Sequence, residues 1–233
     1  MENSAAAYSK EIASHYKAYR PELHSVLLKK SLQADSFQRG LDVGCGVGHS
    51  SVALTSYCKK VIGLEPSTFM LQQAHQHPQV CYESVYNKVS KPYDLLCFFG
   101  VLFYLTDEEV NQYLNGLTAS GTVLVADFKI DYDLVVQRMQ LKPNALNYEH
   151  IPTQNLLTQQ ARLLKSEVFS SSFECTAREL LHLMMTEPHI ESALIQRFKT
   201  SNFAILHKEI SNFFTEDVVR MQAELNYSLY KKN

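Results

Sequence analysis

The sequence predicts an α/β fold: a mostly parallel sheet with helices on both faces and one antiparallel strand late in the chain. Three observations carry this. Arg39 to His49 reads as a strand, a tight turn and a helix start, with an apolar run at Leu41 and Val43 and glycines at 44, 46 and 48. Apolar runs at Val61–Leu64, Tyr93–Phe99 and Thr122–Phe128 alternate with helical segments, the pattern of a parallel sheet with right-handed crossovers. In the tail, Val219, Met221, Ala223, Leu225, Tyr227 and Leu229 alternate with Arg220, Gln222, Glu224, Asn226 and Ser228. Such alternation marks a strand with one wet face, suited to an antiparallel position near a sheet edge.

The elements follow in order. Residues 1–35 read as helix interrupted at Pro21, with Leu23, Val26 and Leu27 on one face of the second part. The cluster from His15 to Pro21 between the two parts is either a helix joint or a lid over the glycine turn, placing Tyr16, Tyr19 and Arg20 near a ligand in the second case. After the first strand, Ser50 to Cys58 is helical. The second strand, Val61 to Glu65, ends in an acid, and Ser67 caps a helix over Thr68–Gln76. Val80–Glu83 is a third strand and Tyr93–Phe99 a fourth. Thr106 with Glu109 forms a capping box that opens a helix to Leu117. Ser120-Gly121 turns into the fifth strand, Thr122–Phe128. Asp131–Tyr148 takes no assignment. Thr153–Lys165 reads as helix, Glu167–Cys175 as strand, and Thr176 with Glu179 as a second capping box. Two further helices are expected over Pro188–Lys199 and Asn202–Phe214 before the alternating tail.

Composition removes whole classes of function. Of 233 residues, 45% are hydrophobic and 20% charged, with net charge −2, ordinary for a globular chain. No Lys/Arg run exceeds two residues, so the basic stripe of a nucleic-acid binder is missing. The five cysteines are odd in number and scattered, fitting neither a zinc pattern nor a disulfide framework. No stretch of 18 apolar residues and no N-terminal apolar signal region occur. The expectation is a cytoplasmic, soluble protein with a small-molecule partner, and no nucleic acid, membrane or metal.

The glycine turn carries the chemistry. Glycines allow positive φ and close approach of a ligand to the backbone, and the helix start behind them offers unpaired N–H groups. Glu65 lies 17 residues after Gly48, at a strand's carboxyl end, where open α/β sheets bind ligands. One carboxylate there can accept both hydroxyl protons of a ribose. A dinucleotide and S-adenosylmethionine both carry that ribose. Against a dinucleotide, position 49 is His and the third glycine comes one residue early for G-x-G-x-x-G. The only Tyr-x-x-x-Lys, Tyr227 to Lys231, lies on the terminal strand. A one-sided late strand is also foreign to a plain dinucleotide domain.

Leu41-Asp-Val-Gly-Cys-Gly-Val-Gly48, Gly63-Leu-Glu-Pro-Ser67 with Met70, Tyr93-Asp94 and Gly100–Leu105 resemble the class I S-adenosylmethionine-dependent methyltransferases. The resemblance covers essentially the whole chain. It implies a Rossmann-like, seven-stranded sheet whose last strand enters antiparallel between the fifth and sixth. The Tyr16-x-x-x-Arg20-Pro21 opening and the helical insertion resemble the trans-aconitate methyltransferase-like branch. The chain then reads as one domain: a helical lid (1–35), a cofactor-binding half (36–128) and a substrate-side half with a helical insertion (129–233).

The resemblance implies S-adenosylmethionine as cofactor. Gly44, Cys45 and Gly46 would pass its methionine portion, with Gly48 closing the turn and Asp42 orienting the ammonium. Glu65 would hold the ribose, Pro66 and Met70 would flank the adenine, and Phe98 and Phe99 would line the site near the sulfonium. Relatives often carry an acid after the third strand to read the adenine amino group; here Asn87 is the available acceptor. No Asn/Asp-Pro-Pro-Tyr/Phe run follows the fourth strand, which argues against a nucleic-acid base as substrate. The expected reaction is methyl transfer to a small molecule, with oxygen the expected acceptor atom. Tyr16, Arg20, His150 and Arg178 are the candidate catalytic or acceptor-pairing residues. A non-catalytic binder of the same cofactor is the alternative.

Overall fold

The computed structural model describes residues 8–144 and 160–233. At its centre lies β1 (Phe37–Val43), whose burial is continuous from Gly40 to Val43. It pairs in parallel with β2 (Cys58–Leu64) on one side and β4 (Tyr93–Phe99) on the other. Beyond β2 lies β3 (Val80–Glu83), and beyond β4 lies β5 (Leu117–Asp131). The last strand, β7 (Val219–Lys232), enters antiparallel between β5 and β6 (Ala161–Cys175). The seven strands run in the order β3-β2-β1-β4-β5-β7-β6. The expected seven-stranded architecture is the observed one.

Successive strand residues point to opposite faces, so each sheet face has its own core. On one face Val61, Leu95, Cys97 and Leu124 pack with Leu23, Leu27 and Leu28 of α2 (Leu23–Ser31) and Leu54 of α3 (His49–Leu54). On the other, Leu41, Ile62, Leu96 and Phe98 pack with Val110, Tyr113 and Leu114 of α5 (Asp107–Gly116). The tail behaves as its alternation requires: Val219 to Tyr227 bury every second side chain, while Arg220, Gln222 and Glu224 are exposed.

The remaining helices are α1 (Lys10–Ala18), α4 (Thr68–Gln72), α6 (Asp133–Arg138), α7 (Ala177–Met184), α8 (Pro188–Phe198) and α9 (Phe203–Phe213). Both capping boxes form, at Thr106/Glu109 and Thr176/Glu179. Two expectations need correction. Residues 161–165 are strand and not helix; the register shifts between Leu163 and Lys165, and a bulge there hides the period of two. The rest of that predicted helix, 153–159, lies outside the described residues. Ser120-Gly121 sits inside β5, where its pairing with β4 jumps from Leu117 to Thr122. Within the unassigned stretch, α6 follows β5 directly.

Among the described residues, no helix is long and apolar enough to cross a membrane.

Candidate active site

A cavity of about 710 Å³ opens over the carboxyl ends of β1 and β4, lined by the glycine turn on one side and Phe99–Val101 on the other. In sheet order, β1 is where the chain first goes to one side and then to the other, the switch point at which open α/β sheets bind ligands. Helix α1 and the α7–α8 junction form the roof, through Ile12, Tyr16, Thr186 and Glu187.

The turn is built for one open position. All three glycines have positive φ. A Cβ on Gly48 would sit 2.1 Å from the Tyr82 hydroxyl, so that glycine is required by packing. A Cβ on Gly46 would meet nothing within 4 Å. The space above Gly46 belongs to the cavity, and its backbone is what a ligand would meet.

Glu65 crosses this turn. Its Oε2 accepts the Gly46 N–H at 3.0 Å and its Oε1 the Ser67 N–H at 2.8 Å. Burial raises its pKa, and these two amides pull it back. A carboxylate offers about four acceptor positions, so two bonds to the backbone leave capacity for a vicinal diol. Pro66, Met70, Cys45 and Gly44 line the same end.

Asp42 does not line the cavity. It is fully buried beneath the turn, where Oδ2 accepts from Ser50 and Ser51 at 2.7 and 2.6 Å, tying β1 to the start of α3. Its Oδ1 has no partner, and burial pushes its pKa up to about 6 from 3.8. A raised carboxyl pKa favours folding while protonated, so that contribution is full below about pH 4 and lost as pH rises through 6. The neutral mimic Asp42→Asn should therefore gain on the wild type by up to about 3 kcal/mol between pH 4 and 7 in urea melts. The comparison must be with wild type at each pH. Burial lowers His49 and His182 to about 4, and their contribution runs the other way, lost as pH falls.

Four more of the expected site residues lie elsewhere. Phe98 is fully buried and packs toward Tyr113 on the α5 face; its neighbour Phe99 points to the opposite face, into the cavity. Asn87 is exposed on the short 3-10 turn Tyr86–Lys88 and does not reach the cavity, because that turn directs Tyr86 inward instead. Gly48 caps α3 from below the open position. Arg178 is exposed, its guanidinium 5.3 Å from the Phe203 ring centre, so a first-turn helix position faces a neighbouring helix and not the ligand. His150 lies outside the described residues.

Tyr16 and Arg20 do line the cavity. The Arg20 guanidinium lies 4.6 Å from the Tyr16 ring centre, donates from Nη1 to Thr186 Oγ1 at 3.2 Å, and stands 4.0 Å from Glu187 Oε1. His49 Nε2 donates to the Tyr16 carbonyl at 2.8 Å, since a carbonyl can only accept; helix α1 is thereby tied to the glycine turn. The sequence reading missed His24, Tyr132, Glu187 and His189, all on the cavity wall. None belongs to a local pattern, although Glu187-Pro188 marks a helix start, which is where a side chain can project past its helix.

Residues 41–120 match the model of a methyltransferase domain. An uncharacterized methyltransferase from Bacillus pumilus (strain SAFR-032) is 28% identical over 189 residues, 72% of this chain and 87% of that protein. A provisionally named methyltransferase from Dictyostelium discoideum is 35% identical over 86 residues, 35% of this chain and 32% of that protein. The solved structure of a provisionally named type II methyltransferase from Anaeromyxobacter dehalogenans superposes with a TM-score of 0.58 at 15% identity, covering 91% of this chain and 97% of that one. The chain has the Rossmann-like methyltransferase fold, and the segment bearing its glycine turn and Glu65 matches a methyltransferase domain.

Proposed function

We propose that the protein is an S-adenosylmethionine-dependent methyltransferase that methylates a small molecule on oxygen. The observation that carries it is the pairing of Glu65 with the open backbone at Gly46, both lining the cavity at the switch point. The residues fit that cofactor: an acid with spare acceptor positions for the ribose, Pro66 and Met70 for the adenine, and Gly44–Gly46 for the amino-acid portion. Bound there, the cofactor supplies an electrophilic methyl group on a sulfonium. Aromatic faces along the cavity, Tyr16 and Phe99 among them, stabilise a ligand cation by about 0.5–2 kcal/mol. The leaving thioether is neutral and needs no proton, so alignment and exclusion of water carry most of the work.

Isothermal titration with S-adenosylhomocysteine tests the reading. Wild type should bind, and Glu65→Ala should bind about 10- to 150-fold more weakly, the worth of losing hydrogen bonds to a charged acceptor. No binding by the wild type would sink the proposal. A non-catalytic binder shares the binding result and differs in transferring no methyl group.

A further inference from the structure

Beyond the glycine turn, the cavity wall is made by the carboxyl end of β5 and the α7–α8 junction. Tyr132, just after β5, is 7% exposed, and its hydroxyl has no hydrogen-bond partner. Nδ1 of His189, in the first turn of α8, is likewise buried without one. Native proteins seldom leave such atoms unpaired, and two on one cavity wall point to a ligand that satisfies them. Of the charged groups on this wall, Arg20 faces Glu187 and donates to Thr186, Asp127 accepts the Phe128 N–H, and Lys129 is exposed to solvent. What the buried part of the wall lacks is a hydrogen-bonding partner for Tyr132 and His189. The adjoining surface is ring-rich, with Phe99 and Phe128 each edge-on to His24 at 5.2 Å.

We propose that this wall binds the methyl acceptor, and that the acceptor is a neutral, planar aromatic molecule bearing a hydroxyl, anchored by Tyr132 and His189 and deprotonated by Glu187. The inference rests on the methyltransferase reading above and names its substrate class. The acceptor O–H bond breaks and its proton passes to the Glu187 carboxylate. The acceptor oxygen bonds the methyl carbon of S-adenosylmethionine, and the carbon–sulfur pair returns to sulfur. The products are an aryl methyl ether and S-adenosylhomocysteine. Burial raises the Glu187 pKa against the pull of Arg20, which brings the carboxylate toward the working range of a general base.

The probes are 2-naphthol, 2-naphthoate and 2-naphthylmethylamine, titrated by fluorescence into protein loaded with S-adenosylhomocysteine. The naphthol should bind at least about tenfold tighter than either charged analogue. Tyr132→Phe and His189→Ala should each weaken it about tenfold and leave S-adenosylhomocysteine affinity within about twofold of wild type. Glu187→Gln should retain naphthol binding yet slow its methylation by about 10²–10⁴, and should remove the acid limb of the pH–rate profile. Preference for the naphthoate, with Arg20 reading an anion, overturns the proposal. So does preference for the amine, no preference, unchanged naphthol binding in both wall variants, or a wild-type rate in Glu187→Gln. Failure of wild type to bind S-adenosylhomocysteine falls on the cofactor reading first, and is seen separately before any naphthyl probe is added.

Discussion

Phe98→Ala should lower the stability of the protein by about 3–5 kcal/mol while leaving S-adenosylhomocysteine affinity in the folded protein nearly unchanged. The ring is fully buried between β4 and α5, so its removal leaves a cavity that the neighbouring Tyr113 and Leu96 fill only in part. For a chain of this size, such a loss corresponds to roughly 6–20 °C in melting temperature. Calorimetry gives the first half of the prediction and isothermal titration the second. The contrast is with Phe99→Ala, one residue on and facing the cavity, where the larger loss should be in binding. A Phe98→Ala variant that melts like wild type but fails to bind would mean that Phe98, not Phe99, faces the ligand.

The second large effect is expected at Gly48. Gly48→Ala forces a side chain into φ +86° and sets its Cβ 2.1 Å from the Tyr82 hydroxyl and 2.8 Å from the ring. The ring must swing away, giving up its bond to the His75 carbonyl at 2.7 Å. Left-handed strain, overpacking and the lost hydrogen bond together cost about 3–5 kcal/mol. Because Gly48 also caps α3 at the base of the glycine turn, S-adenosylhomocysteine affinity should fall along with stability if the proposed site is right. Gly46→Ala makes the sharper comparison: no atom opposes the new methyl, so its fold should suffer only the backbone strain, and its main loss should be in ligand binding. Urea melts and titration of the two variants side by side separate the two outcomes.

These two glycines show what could be read in the sequence and what could not. Their spacing, with the apolar run ahead and Glu65 behind, locates the turn, because strand, turn and helix start are local patterns. The β7 alternation was legible for the same reason. It predicts an antiparallel strand near the sheet edge, and Val219 to Tyr227 bury as it requires. Only packing could show which glycine is open to a ligand and which is filled by Tyr82. The same limit explains Asp42, Phe98 and Asn87. Each sits in a recognisable segment, but a side chain's destination depends on which face its neighbours leave vacant. The cavity wall was least legible. His24, Tyr132 and the Glu187/His189 pair come from three separate elements, and no spacing rule links them. Local reading also failed at Leu163-Leu164-Lys165, where a bulge broke the period of two.

The roof has a consequence for how the molecule assembles. Its ties join segments far apart in the sequence: His15 to His182 at 2.9 Å, Arg20 to Thr186, and the Tyr19 hydroxyl to the Glu174 carbonyl, at separations of 167, 166 and 155 residues. Closing loops of that length costs chain entropy before any contact repays it. The β1–β4 half, by contrast, pairs segments close in sequence. A nascent chain that has not yet reached Thr186 holds the glycine turn but not the wall that faces it across the cavity. The far wall of the cavity is thus completed only after residues 174–187 have been made and have met the N-terminal helix.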